Sequence, residues 1–236
     1  MQQDNFYSKV ESNNFFKRWK NINKVLPAKL RTSKVELLNI LSSNIKLKKK
    51  KILEIGCFIG DLLYELKETH QCKVHGVEPS SFACKFAKEK FKLNLENTTF
   101  IKSKFFMNKK FYKKIDIIIC EDVFSWMDRS IIIPTLGSID WILKDNGYIL
   151  IRDYTPPYNF AYKHHHYPQK KIFSFKQANG HKTLFLNSGK YVQIYNKQIS
   201  TSKYQKIKIN EKVGLMWSDT LLMKVKNFTH PVKKIK

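Results

Sequence analysis

The sequence predicts an α/β protein: a mostly parallel sheet with helices on both faces, preceded by an N-terminal helical extension. Three observations predict it. Short apolar runs at 51–56, 73–78, 98–102, 115–120 and 147–152 alternate with helical patterns at 60–69, 80–91 and 130–143, and such alternation implies parallel strands with right-handed crossovers. The run Lys51-Ile-Leu-Glu-Ile55 stops at an acid and breaks into the glycine turn Gly56-Cys-Phe-Ile-Gly60, with an amphipathic helix directly behind it. Two further strand-like segments, Lys190 to Ile199 and Val213 to Lys226, close the chain. At 236 residues the chain is long enough for one such domain with a full core.

The elements follow in order. Asp4 to Lys20 carries Phe6, Val10, Phe15, Phe16 and Trp19 at roughly helical spacing. Pro27 interrupts, and Ser33 is placed to cap a helix over Lys34 to Ser43, whose apolar face is Val35, Leu37, Leu38 and Leu41. These helices, 1–45, form a lid over the ligand-binding edge or simply pack on the sheet; periodicity leaves both open. The lysine run before Lys51 reads as a solvated entry loop. Residues 46–230 form the ligand-binding domain and 231–236 a frayed basic tail. The segment Lys144-Asp-Asn-Gly147 is a helix exit into the strand Tyr148-Ile-Leu-Ile151. The connection that follows, about 35 residues, is longer than most loops, and long loops are often functional.

Composition narrows the function classes. No apolar run reaches the ~20 residues that span a bilayer, and Met1-Gln-Gln-Asp-Asn-Phe6 has no signal-peptide pattern. The cysteines Cys57, Cys72, Cys84 and Cys120 form no Cys-x-x-Cys pair; no metal site is expected, and reduced thiols fit the cytoplasm. The formal charge of +25 raises a nucleic-acid reading. Yet only four of the 44 basic residues are Arg, the side chain favoured for bidentate phosphate and guanine contacts. Nucleic acid is therefore not the expected partner, although the charge should attract anionic substrates.

The glycine turn is a ligand cradle: small residues admit a ligand to the backbone, and N–H groups at a helix start bind polar atoms. It lacks both the Gly-Lys-Ser/Thr ending and the Gly-x-Gly-x-x-Gly spacing, so it suits an adenosine ligand without a phosphate chain. The next strand, Lys73-Val-His-Gly-Val77, leads into Glu78, 18 residues after Gly60. An acid about 20 residues beyond such a turn accepts ribose hydroxyls in related sheets.

These residues together resemble the class I S-adenosylmethionine (SAM) methyltransferases. Their acid-x-Gly-x-Gly-x-Gly motif reads here Glu54-Ile-Gly-Cys-Phe-Ile-Gly60, with Phe58 in place of the middle glycine. The resemblance covers roughly residues 30 to 226. It implies a Rossmann-like seven-stranded sheet ending in an antiparallel pair, with SAM as cofactor. It also implies that Gly56, Cys57 and Gly60 face the methionine part, beside Glu54, and that Glu78 and Pro79 hold the ribose. The third-strand loop, Ser103-Lys-Phe105, lacks the family's Asp, and Phe105 is left to stack on adenine. Glu121, or the Cys120 carbonyl, would face the cofactor's ammonium.

Methyl transfer needs alignment, and for an alcohol nucleophile a base. Asp153-Tyr-Thr-Pro-Pro157 and Tyr162-Lys-His-His-His-Tyr167 supply candidates: Asp153, His164 and His165. Three consecutive histidines on an extended chain cannot share one direction, which favours the first two. The stretch from Asp153 to Gln177, with Leu30-Arg-Thr-Ser-Lys34, is similar to bacterial methyltransferases that modify sugars and surface polysaccharides. The expected reaction is O-methylation of a small polar, carbohydrate-type substrate. Two alternatives stand beside it. One is an RNA methyltransferase, although Cys120-Glu-Asp-Val-Phe124 stands where base-methylating enzymes carry Asn/Asp-Pro-Pro-Tyr/Phe. The other is a non-catalytic partner of the same fold, motivated by Phe58.

Overall fold

A computed structural model describes residues 2–22, 32–200 and 216–226. The tail 231–236 lies outside them, as do Leu30 and Arg31. A six-stranded sheet runs in the order β2-β1-β3-β4-β8-β7. Its strands are β1 (Lys51–Ile55), β2 (Lys73–Val77), β3 (Ile115–Glu121), β4 (Leu143–Tyr154), β7 (Tyr191–Ser200) and β8 (Met216–Lys224). The first four pair in parallel, and β8 pairs antiparallel with both β4 and β7. This is a Rossmann-like arrangement with an antiparallel edge.

Alternation along each strand sorts the core into two layers. Ile52, Ile117, Ile119, Leu150 and Leu221 face α3 (Thr32–Asn44), α4 (Asp61–Glu68) and α5 (Ser81–Phe91). Leu53, Ile118, Cys120, Ile149, Ile151 and Leu222 face α6 (Arg129–Ile142). Ser33 lies inside α3, which begins one residue before the expected cap.

Three expectations change. The expected strand at 98–102 is a single 3₁₀ turn, Phe100–Lys102. Side-chain bonds replace its ladder: the Asn97 amide donates to the carbonyls of Glu78 and Pro79, both at 3.0 Å, and Ser103 Oγ donates to Phe100 O at 2.8 Å. One parallel bridge, Val77 to Glu96, still marks that edge. Secondly, β4 already pairs at Leu143, so 144–147 is an irregularity within a strand. Thirdly, the long connection is ordered: β5 (Phe160–Lys163) and β6 (Phe173–Lys176) form a separate antiparallel pair, followed by α7 (Lys182–Leu186).

The N-terminal segment comprises α1 (Gln2–Phe6), one π-helical turn (Tyr7–Glu11) and α2 (Ser12–Ile22). It is tied down at its start and at the start of α2. The Gln3 amide donates to Trp126 O at 3.0 Å and Phe173 O at 2.7 Å and accepts from Phe173 N. Asn13 Oδ1 accepts from Ser80 Oγ at 3.0 Å, and Asn14 donates to the Tyr167 hydroxyl at 2.7 Å.

Candidate active site

Between this segment and the carboxyl ends of β1 to β4 lies a cavity of about 910 Å³. That is where parallel α/β sheets bind ligands. Of the residues expected from sequence, Gly56, Glu78, Pro79, Glu121, His164 and His165 line it.

The others do not, each for a physical reason. Glu54 is fully buried on the α3 face of β1, where Lys34 Nζ donates to its Oε1 at 2.6 Å. Cys57 is fully buried and its N–H donates to Val77 O at 3.3 Å. Gly60 starts α4 at φ +72°, beside Leu93. Phe105 is fully buried 4.5 Å from the Phe111 ring, so it has no face to offer adenine; Phe100 and Ile101 line the cavity instead. Asp153 is committed to His181. Its Oδ2 accepts from His181 N at 2.9 Å and stands 2.5 Å from Nδ1, and its Oδ1 accepts from Ser125 Oγ and Tyr154 N. Burial raises the Asp153 pKa, but the His181 bonds outweigh it and hold the carboxyl below its usual value.

The cradle is built on backbone. Gly56 has φ +69°, and a Cβ there would meet Val123 Cγ2 at 2.6 Å, so only glycine fits. Glu78 braces the turn: its two oxygens accept from Phe58 N and Ser80 N, both at 2.8 Å. Burial lifts its pKa to about 7. Phe58, at φ +53°, turns its ring to the N-terminal segment, 5.1 Å from both Phe15 and Trp19 and 5.9 Å from Phe16.

A charged row crosses the sheet beneath the cavity. Glu54, Glu121, Arg152 and Asp219 share the α3 face of β1, β3, β4 and β8. Arg152 is register partner to both Glu121 and Asp219. It grips Asp219 through two bonds of 2.6 and 2.7 Å and reaches Glu121 at 3.2 Å. Buried Lys34 bridges Glu54 and Glu121, at 2.6 and 2.5 Å. Burial raises Glu54 to about 7 despite that partner.

The opposite wall was not foreseen. Tyr7, Glu11, Ser12 and Arg18 line it from the N-terminal segment, and Asp122 and Trp126 from the loop after β3. Glu11 Oε1 stands 2.5 Å from Arg18 and 3.2 Å from His164 Nε2. His164 Nδ1 accepts from His166 N at 3.2 Å, so both its nitrogens are engaged. Asp122 sits at φ +49° and accepts from Trp126 Nε1 at 3.1 Å; burial raises its pKa to about 6. His166 also reaches the wall. Tyr167 N donates to His164 O, and this turn, unlike an extended chain, lets all three histidines face one space. The sequence signal for the wall was Asp4, Tyr7, Glu11, Phe15 and Arg18, at spacings of three to four.

These residues fit an adenosyl sulfonium. Glu78 retains acceptor capacity for ribose beyond its two backbone bonds. Acids outnumber cations along the cavity: Asp4, Glu11, Glu36, Glu78, Glu121 and Asp122 against Arg18, Lys34 and Arg152. Among the described residues no group of three or more His, Cys, Asp or Glu could hold a metal ion.

A family model for a methyltransferase domain matches residues 46–214, and the chain belongs to that family. It is an enzyme whose cofactor is S-adenosylmethionine. Solved structures agree in fold. The 1,6-didemethyltoxoflavin-N1-methyltransferase of Burkholderia thailandensis, solved with bound 1,6-didemethyltoxoflavin and S-adenosylhomocysteine, is 13% identical with a TM-score of 0.62, over 94% of this chain and 90% of that one. Magnesium protoporphyrin IX methyltransferase from Synechocystis, with bound SAM, is 12% identical with a TM-score of 0.58, over 94% of each chain. The phosphoethanolamine N-methyltransferase 2 of Haemonchus contortus is 11% identical with a TM-score of 0.62, over 95% of this chain and 60% of that one. No curated protein matches the chain.

Proposed function

We propose that the enzyme O-methylates a small polar acceptor of the carbohydrate type, with His165 as the base. One observation carries this reading. His165 lines the cavity beside the engaged His164, and no hydrogen bond holds its own ring nitrogens among the described residues. Burial lowers its pKa from 6.5, reinforced by the Arg18 charge, so the ring is neutral at physiological pH and able to take a proton.

Bound SAM supplies a methyl group already activated by a positive sulfur. That chemistry would join the methyl carbon to the acceptor oxygen and leave the sulfur neutral. The hydroxyl proton passes to His165 and then to solvent. Glu78 holds the ribose, and Gly56 gives the cofactor a close approach to the backbone. Glu121 lines the cavity, but both its oxygens already meet cations, Oε2 with Lys34 at 2.5 Å and Oε1 with Arg152 at 3.2 Å, so it is not an open partner for the cofactor's ammonium. The segment 2–22 acts as the lid, while α3 is packed into the core: Gln3, Asn13 and Asn14 latch the segment to loops on the strand-end edge, and it must open for exchange. The four free cysteines support a reducing, cytoplasmic setting, and no described helix is long and apolar enough to cross a membrane.

The test pairs calorimetry with turnover. SAM binds the wild type, and His165→Ala lowers kcat by about 10²-fold without changing the SAM Kd. Absence of SAM binding at millimolar concentration defeats the cofactor site, whereas unchanged turnover in the variant removes only the base.

A further inference from the structure

Four polar atoms on the wall opposite the charged row are buried without a hydrogen-bond partner: Tyr7 Oη, Glu11 Oε2, Ser12 Oγ and Asp122 Oδ1, the last with the Lys176 ammonium 3.8 Å away. All four residues line the cavity. Glu11 is 4% exposed and Ser12 9%. Folded proteins rarely leave such atoms unpaired, and a concentration of them in one cavity wall calls for a ligand.

Their arrangement selects the ligand's chemistry. Both carboxylates already have a cation: Arg18 at 2.5 Å from Glu11 and Lys176 Nζ at 3.8 Å from Asp122. An ammonium group would compete with these cations for the same oxygens. A phosphate would be brought against two carboxylates. A hydroxyl donates to a carboxylate oxygen without changing the charge balance, and the free Tyr7 and Ser12 hydroxyls serve it as donors or acceptors. Aromatic faces stand beside these atoms. The Trp126 ring is 5.7 Å from that of Tyr7 and 5.2 Å from that of His164, and its Nε1 is held by Asp122 Oδ2. Such rings pack against the C–H face of a sugar while neighbouring polar groups read its hydroxyls.

We propose that Tyr7, Glu11, Ser12 and Asp122 form the acceptor subsite, and that it takes an uncharged polyol, meaning a free sugar or neutral glycoside rather than a phosphorylated, nucleotide-linked or amino sugar. This rests on the methyltransferase site described above and narrows its acceptor.

The test offers the full-length enzyme with SAM three sets of acceptors: neutral hexoses and their methyl glycosides, hexose phosphates with nucleotide-linked hexoses, and hexosamines. Mass spectrometry reads a single methyl increment. The expected result is transfer to neutral acceptors, with Tyr7→Phe, Glu11→Gln and Asp122→Asn each raising the acceptor KM about tenfold, the loss of one good hydrogen bond. The SAM Kd, read by calorimetry, stays unchanged. Tyr7→Phe removes one oxygen and keeps the ring, so it remains informative where a carboxylate variant folds poorly. Preference for the charged or amino acceptors overturns the proposal, as does transfer to none of the neutral ones by an enzyme that binds SAM, or a Tyr7→Phe enzyme with an unaltered KM. Failure of the wild type to bind SAM defeats the underlying reading instead.

Discussion

Glu78 braces the glycine turn through two backbone N–H groups and is the residue proposed to hold the ribose. Its pKa rises from 4.5 to about 7, chiefly by burial; Glu54 adds to the rise, while the two backbone bonds and Lys34 oppose it. The nearby thiols, Cys57 and Cys84, are themselves raised, so they stay neutral over this range. The sign follows from proton counts. Between pH 4.5 and about 7 the folded protein holds a proton that the unfolded chain has released. Glu78 therefore lowers stability progressively as pH rises through that window, and the deficit stays constant above it. Ligand binding runs the other way, because the ionised carboxylate is the stronger acceptor for ribose hydroxyls. SAM should bind roughly tenfold more tightly at about pH 8 than at about pH 6, the change expected when one carboxyl near 7 must ionise. Calorimetry at the two values checks this, with Glu78→Gln flattening the response. A wild-type Kd indifferent to pH would show that Glu78 is not the acceptor. This residue was legible in the sequence because an acid ending a buried strand, set by a glycine turn, has few other uses. Phe105 was not, since sequence does not tell a ring facing a ligand from one filling the core.

The element that departs most from expectation is the N-terminal helix. Its supposed apolar face included Val10 and Phe15, yet these are 37% and 48% exposed, while Glu11 and Ser12 are buried. The π turn at Tyr7–Glu11 accounts for it: one extra residue per turn shifts the helical phase, and no propensity scale marks such a turn. The alternation of strands and helices was legible because it is set by long apolar periodicities. The 3₁₀ turn at Phe100–Lys102 was not, because single bonds from Asn97 and Ser103 override a strand-like pattern. Phe58 belongs to the same element, since its ring anchors α2. Replacing it by glycine restores the family's motif and relieves a left-handed backbone worth about 1–2 kcal/mol. It also removes a buried aromatic ring worth about 3–5 kcal/mol. The loss wins: Phe58→Gly should lower stability by about 2 kcal/mol and speed proteolysis within 2–22. Urea denaturation and a timed digest measure both, and a variant as stable as the wild type would show that the ring does not hold the helix.

Across the whole molecule, the distribution of charge matters more than its total. Six of the 19 acids line the cavity, so the remaining surface is more basic than the net +25 conveys. The expectation that this charge draws anionic substrates does not carry to the cavity wall, where acids outnumber cations two to one. Two electrostatic regimes follow. Exposed lysines repel one another through water, over distances comparable with the Debye length of about 8–10 Å at moderate salt. The buried pairs, Lys34 with Glu54 and Arg152 with Asp219, sit where salt screens far less. Added salt should therefore relieve the surface repulsion and leave the site's pairs largely intact. Exposed pairs such as Lys190–Asp140 and Lys197–Glu36 lose something in exchange, but such pairs contribute about 0–1 kcal/mol each and, among the described residues, are outnumbered by lysines that make no ion pair. Raising sodium chloride from about 20 to about 200 mM should raise Tm by about 3 °C or more, since 1 kcal/mol corresponds to about 2–4 °C in a domain of this size. The SAM Kd should change by less than about threefold over the same range, because the cavity proposed for the cofactor lies against buried ion pairs that salt screens little. A scanning-fluorimetry series paired with calorimetry reads both quantities. A falling Tm would mean that attractive surface pairs outweigh the lysine repulsion, and a steeply salt-dependent Kd would place the cofactor in contact with solvent-exposed charges rather than in the cavity.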